Sequence, residues 1–297
     1  MGSSNSSPPP PPEYDRPWRS INWSEDGQKL LKTVTNFQPG NQEVNPLRIL
    51  LHGPVGAGKS SFFNSVNSAL QGYITTRALA NSSLNAEKTF TVQCKTYKVK
   101  NERAGSFLPF AFTDIAGMDK KFGIKTDDII QLLNGHINDG YTFNPVKPIT
   151  DEDPKYNNNP ILKDKIHCLV AVLPANTVSM INEEMIWQMR EVREKARDLG
   201  IPQAIVMTKV DEACPLVKKD LKKIYTSKKI KQKMEECSNK LGVPVSCIYP
   251  VKNYHEENNT NTTADILILD ALKNILNFAN DYVEDQVLRN ATVQVDS

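Results

Sequence analysis

The segment Gly53-Pro-Val-Gly-Ala-Gly-Lys-Ser60 holds the most specific chemical signal in this 297-residue chain. Glycines at this spacing let the backbone wrap a phosphate with its N–H groups turned inward. A helix starting at the end of the loop adds its partial positive charge. Lys59 then reaches the β- and γ-phosphates and acts in catalysis, while the Ser60 hydroxyl ligates Mg²⁺. The expected phosphate cradle is Gly53, Val55, Gly56, Ala57, Gly58, Lys59, Ser60 and Ser61.

Two further motifs follow in the order a nucleotide site needs. Asp114-Ile-Ala-Gly117 closes the apolar run FLPFAFTD. An Asp at that strand end suits a Mg²⁺ ligand acting through water, and Gly117 offers a backbone N–H near the γ-phosphate. Thr208-Lys-Val-Asp211 follows the run QAIVM. Asp211 can accept from guanine N1–H and its 2-amino group, whereas adenine presents a lone pair and no amine. A site built on such bonds rejects the wrong ligand by roughly 10⁴-fold. The Lys209 stem can cover the base plane. A last backbone contact to the base is expected from Pro250-Val-Lys-Asn253, at Val251 and Lys252. The implied ligands are GTP or GDP with Mg²⁺.

Hydrolysis is less clearly encoded. Fast GTPases of the Ras type place a Gln after Asp-x-x-Gly to orient the attacking water. Here that position is Met118, which holds no water usefully, so turnover is expected to be slow or to use other groups. Arg77 is the candidate cis arginine, a solvated loop charge being the alternative reading. Thr89 is the expected Mg²⁺-sensing hydroxyl, with Ser83, Thr75 and Thr76 as alternatives.

Strands and helices must alternate to position these motifs. Leu47–His52 reads as a buried strand and Gly58–Leu70 as the helix that the phosphate loop opens. Thr89–Val99 and Ser106–Asp114 read as a hairpin, and Thr126–Asp139 as a helix. Asn144–Pro160, rich in Pro, Asn and Asp, reads as a long surface loop. Ile166–Leu173 and Gln203–Met207 are continuous apolar runs, hence central strands. Between them, Ile181, Met185, Ile186, Met189, Val192 and Ala196 stripe a helix ending at Gly200. Lys218–Leu241 predicts one or two helices, Val245–Tyr249 a last strand, and Ala264–Leu288 a closing helix. This alternation predicts an α/β fold, a P-loop NTPase G domain whose mostly parallel sheet is flanked by helices.

Around that domain, 47–288, the chain divides into a Pro/Ser-rich tail at 1–16, an N-terminal extension at 17–46 packed on the domain, and a C-terminal tail at 289–297. Trp18 and Trp23 are the expected anchors of the extension, and Ser24 the expected cap of a helix to about Phe37. The tail is expected to be disordered, with Pro8–Pro12 suited to an SH3-type groove. Met1-Gly2 followed by Ser6 fits N-myristoylation, which would bring the chain to a membrane through Gly2. Net charge is +2 and the apolar fraction 39%, so no global field favours sequence-specific nucleic acid. Five separated cysteines without a CxxC pair argue against a disulfide framework or a zinc site, and for a reducing compartment. Eight lysines between Lys218 and Lys233 form either a solvated helix face or a surface for an anionic membrane or partner.

The order GPVGAGKS, DIAG, TKVD resembles the TRAFAC-type guanine-nucleotide-binding domain. More narrowly, PWRSINW, GPVGAGKSSFFNSV, FTDIAGMD and YPVKNY resemble the interferon-induced protein 44 and 44-like family, from about Trp18 to the last helix. The resemblance implies an interferon-inducible, cytoplasmic GTP-binding protein of vertebrate innate immunity with antiviral or antiproliferative effects. Two functional classes stay open: a slow GTPase, or a nucleotide-gated interaction module whose protein partner is unspecified, a second copy of the chain being one candidate.

Overall fold

The computed structural model describes residues 12–78, 93–101, 106–115, 117–118 and 124–295, with side chains to residue 289. Gly2, Ser83 and Thr89 lie outside the described residues.

One sheet organises the chain. Its strands are β1 (Leu47–His52), β2 (Lys95–Lys100), β3 (Phe107–Asp114), β4 (Cys168–Pro174), β5 (Gln203–Thr208) and β6 (Ile248–Pro250), in the order β2-β3-β1-β4-β5-β6. Neighbours pair in parallel except β2 and β3, which form the antiparallel edge. The helices are α1 (Asp26–Thr35), α2 (Lys59–Gln71), α3 (Thr126–Leu133), α4 (Glu183–Asp198), α5 (Val210–Ala213), α6 (Pro215–Lys219), α7 (Lys228–Leu241) and α8 (Thr262–Val295). This is the P-loop G-domain arrangement, and no helix among the described residues is long and apolar enough to cross a membrane.

The strands are central because both faces are covered. All seven residues of β4 are buried, as its unbroken apolar run requires. On one face α2 seats Phe62 and Phe63, both fully buried, against Phe112. Each such side chain contributes about 1.5–3 kcal/mol of burial. α4 shows the expected stripe, Ile186, Met189, Val192 and Ala196, and starts where Asn182 accepts from the Met185 N–H at 2.8 Å. It ends before Gly200, whose φ of +71° is the left-handed stop that glycine tolerates.

The parallel register brings the chemistry to one sheet edge. Leu51 stands opposite Asp114, and Pro174 opposite Thr208. The carboxyl ends of β1, β3 and β5 therefore deliver the phosphate loop, Asp114 and the Thr208 motif side by side.

Several boundaries differ from the sequence reading. α3 ends at Leu133 rather than Asp139, because Gly135 takes φ +87° against the backbone of Asp164 and Lys165. The 144–160 segment is irregular as expected but not merely superficial. Ile149 is buried, its N–H donates to Asp128 Oδ1 at 2.8 Å, and Tyr156 bridges Ile137. β6 starts at Ile248 because Val245–Cys247 close a tight turn, Cys247 N–H donating to Pro244 O. α8 runs to Val295, seven residues beyond the expected Leu288.

The N-terminal residues lie on the domain. Leu30 and Val34 of α1 are buried where it packs on α8. Trp18 meets Tyr225 edge-on at 5.8 Å. Arg19 lies over the Tyr225 and Tyr249 rings and donates to the carbonyls of Ile248 and Val245. The lysine run is partly engaged by this segment: Lys223 pairs with Glu13 at 2.9 Å, and Lys228 and Lys231 lie over the Tyr14 ring. Lys233 pairs with Glu236.

Candidate nucleotide site

The loop leaving β1 is shaped by glycines. Gly53 sits at φ +140°, and a Cβ there would lie 2.3 Å from the Val172 carbonyl oxygen, so only glycine passes. Gly58, at φ +94°, precedes the first residue of α2, and no side chain caps that helix. The N–H groups of Lys59, Ser60 and Ser61, first in the helix, carry no hydrogen bond among the described residues. A buried helix end with unbonded donors is an anion site by geometry and by charge. Beside Gly56 there is open space where its Cβ would be.

Lys59 is buried and curls back along the loop, donating to Gly53 O at 3.1 Å and Pro54 O at 3.2 Å. Burial holds its ammonium below the usual range, and the Asp114 carboxylate pulls it back up. One of its three donors remains for a ligand.

Asp114 ends β3 beneath this loop. Ser60 Oγ donates to its Oδ2 at 2.6 Å, while Oδ1 is buried with no partner. Burial raises the Asp114 carboxyl, and Lys59 and Ser60 oppose that shift. A hydroxyl and an unsatisfied carboxylate oxygen side by side are hard donors that fit Mg²⁺ and its waters. Gly117 packs on Val55 so closely that a Cβ there would fall 2.5 Å from Val55 Cγ2. Its neighbour Met118 is buried and backbone-bonded to the loop, donating to Gly53 O at 3.0 Å and accepting from Val55 N–H at 3.4 Å.

On the base side, Thr208 is fully buried and donates to Ala57 O at 2.6 Å, tying β5 to the phosphate loop. Lys209 has φ +56°, the single non-glycine positive φ among the described residues. This kink starts α5, with Asp211 in its first turn. The half-buried Asp211 carboxylate has no hydrogen bond or ion pair among the described residues. Val251 N–H is committed to Met207 O at 2.8 Å, so the N–H groups left on that loop are those of Lys252 and Asn253. The Lys252 ammonium pairs with Glu257 at 2.8 Å.

Sequence reasoning missed a polar system on α2. Asn64 holds Ala78 through two hydrogen bonds, donating to its carbonyl at 2.7 Å and accepting from its N–H at 2.8 Å. Asn67 donates to Thr75 Oγ1, and Ser68 Oγ accepts from Thr75 N–H. Ser65 Oγ accepts from Tyr254 N–H. The buried face of this helix thus fixes both the segment before residue 79 and the loop after β6. Four polar residues, Asn64, Ser65, Asn67 and Ser68, inside one short helix were the readable signal. Of the first-switch candidates, Thr75 is buried in this system. Arg77 donates to Lys98 O of β2 at 2.7 Å, at the sheet edge.

No family model matches the chain. Among curated proteins it is 36% identical over 259 residues to interferon-induced protein 44 from Homo sapiens, covering 87% of this chain and 58% of that protein. The Mus musculus protein of the same name is 37% identical over 256 residues, covering 86% and 60%. Interferon-induced protein 44-like from Homo sapiens is 35% identical over 269 residues, covering 90% and 59%. The chain thus spans about three-fifths of the length of these relatives. Among solved structures, Toc33 from Arabidopsis thaliana in complex with Mg²⁺ and GMPPNP aligns over 87% of this chain and 92% of that one, at 12% identity and TM-score 0.48. A crystal structure of "a probable GTP-binding protein engB" aligns over 79% and 98%, at 14% identity and TM-score 0.44.

Proposed function

We propose that this relative of interferon-induced protein 44 and 44-like is a guanine-nucleotide-binding protein that holds GTP or GDP with Mg²⁺ and turns GTP over slowly. Its proposed setting, taken from that kinship, is the interferon-induced innate immune response, in the cytoplasm and in antiviral defence.

The observation that carries the nucleotide reading is the head of α2, where unbonded N–H groups, buried Lys59 and the Ser60–Asp114 pair converge. In that arrangement Gly56–Ser61 hold the phosphates, Lys59 neutralises them, and Ser60 with Asp114 holds the cation or its waters. Bound Mg²⁺ supplies charge neutralisation at the β- and γ-oxygens. Asp211 selects guanine because its free carboxylate needs the donors that adenine lacks. The whole unit, 47–288 with the 17–46 extension, acts as one nucleotide-binding domain.

A second reading, a nucleotide-gated interaction module with little turnover, is favoured by Met118. Its side chain is buried and its backbone is bonded to Gly53 and Val55, so no group there orients a water. Bound GTP would then order segments for a protein partner. Multiple-turnover phosphate release over a range of protein concentrations separates the two. Turnover that rises per molecule with concentration supports an enzyme completed by a second copy. GTP binding with no release supports the module, and no GTP binding refutes both.

A further inference from the structure

Guanine carries two acceptors, N7 and O6, along the edge opposite its 2-amino group. A site that reads that edge needs donors. Thr208, which opens the base motif, has one hydroxyl proton, and that proton is committed to Ala57 O at 2.6 Å inside a fully buried setting. Thr208 therefore has nothing to donate to a base.

An amide from elsewhere in the chain reaches the same place. Asn253, on the loop after β6, donates from Nδ2 to Gly58 O at 3.2 Å. A Cβ built at Gly58 would lie 2.9 Å from Asn253 Nδ2 and 3.6 Å from Thr208 Oγ1, so the two side chains flank one backbone point between the phosphate loop and the base motif. Because Gly58 O is an acceptor, the amide orientation is fixed by its partner. One amide N–H is used and the second has no acceptor, while Oδ1 is buried with no partner. The amide is half-buried and its second N–H is the donor left over at this site for a ligand, beside a buried Oδ1 that has no partner of its own.

The loop is also held rigid on both sides of Asn253. Val251 N–H donates to Met207 O at 2.8 Å, and Tyr254 N–H donates to Ser65 Oγ at 2.9 Å. The Tyr254 hydroxyl donates to Asp265 at 2.6 Å. An amide fixed in this way gives up little rotamer freedom when it bonds a ligand.

We propose that Asn253 reads the N7 edge of the guanine base, its second amide N–H supplying the donor that the Thr208 hydroxyl, committed to the phosphate loop, does not. This rests on the guanine-nucleotide reading above. Asp211 and Asn253 then grip opposite edges of the base, the first as acceptor and the second as donor.

The test measures binding, not turnover, with GDP and with 7-deaza-GDP, in which a C–H replaces N7. The wild type is expected to bind GDP roughly 3- to 10-fold more tightly than 7-deaza-GDP, the worth of one hydrogen bond. Asn253→Ala should weaken GDP by the same factor and leave 7-deaza-GDP unchanged, so that the preference disappears. Asn253→Asp, which keeps the shape but removes the donor, should lose the preference as well and guards against a folding defect in the alanine variant. An undiminished preference in both variants, or no preference in the wild type that binds GDP, would overturn the assignment while leaving the guanine reading intact. A wild type that binds no guanine nucleotide overturns the reading on which the assignment rests.

Discussion

Replacing Thr208 by Val removes one hydroxyl and almost nothing else, which makes it the sharpest probe of how the base motif is tied to the phosphate loop. Thr208 is fully buried, with Oγ1 2.6 Å from Ala57 O and 3.4 Å from Leu173 O. Ala57 is fully buried too, so its carbonyl loses its donor with no water to replace it. Leaving a buried acceptor unpaired costs about 1–3 kcal/mol. For a chain of this size each kcal/mol is about 2–4 °C in melting temperature. Thr208→Val should therefore lower the melting temperature of the ligand-free protein by roughly 2–12 °C. Affinity for GDP should fall as well, because the phosphate loop is no longer anchored to β5. Denaturant unfolding with and without GDP reads both effects, the second through the added stability of the bound state. A variant with unchanged stability and GDP affinity within twofold would refute the claim that this hydrogen bond couples the two halves of the site.

Asp114→Asn should abolish the Mg²⁺ dependence of GDP affinity, seen by titration with and without the ion. The same change should also alter how the stability of the ligand-free protein depends on pH. Burial raises the Asp114 carboxyl, so its contribution is full below the unfolded pKa and lost as pH rises through the folded one, and Asp114→Asn should flatten that slope. His52 and His167 act in the opposite sense: burial lowers them to about 3 and about 4. The folded protein holds both neutral while the unfolded chain protonates them, so stability should fall as pH drops from about 6.5 toward 4. His52→Phe should remove up to about 1.4 kcal/mol per pH unit of that slope, measured by denaturant unfolding. At the N-terminus, Trp18→Ala should destabilise by about 2–4 kcal/mol through lost aromatic packing. Glu13→Ala removes a half-exposed pair with Lys223 and a hydrogen bond from the Thr226 hydroxyl, so the melting temperature should fall by no more than about 2–4 °C.

The phosphate loop was legible because its residues answer to backbone geometry that no other residues satisfy. Gly53 and Gly58 occupy φ values closed to side chains, and Lys59 and Ser60 follow at the head of α2. The central strands were legible because full burial leaves an unbroken apolar run, as in β4. Boundaries failed where a single residue's backbone, rather than periodicity, decides. Gly135 stops α3 early because its neighbours Asp164 and Lys165 leave room for glycine alone. Asn144–Pro160 looked like surface because its composition is polar, yet Ile149 and Tyr156 pin it to the domain through Asp128 and Ile137, 21 and 19 residues away in sequence. The segment ending at Asn253 was singled out for a backbone contact, but the side-chain bonds of Asn253 and Asn64 were not legible, for the same reason. Each is one amide whose meaning depends on which distant backbone it meets, Gly58 for one and Ala78 for the other.

The most direct test of the central claim is competitive binding of GTP, GDP and ATP to the wild-type chain in Mg²⁺. The account predicts GTP and GDP binding with ATP weaker by at least about 100-fold, well inside what a carboxylate read-out of guanine can supply, and predicts that Asp211→Ala erases the difference. ATP binding within tenfold of GTP, or no binding of either guanine nucleotide, would contradict it.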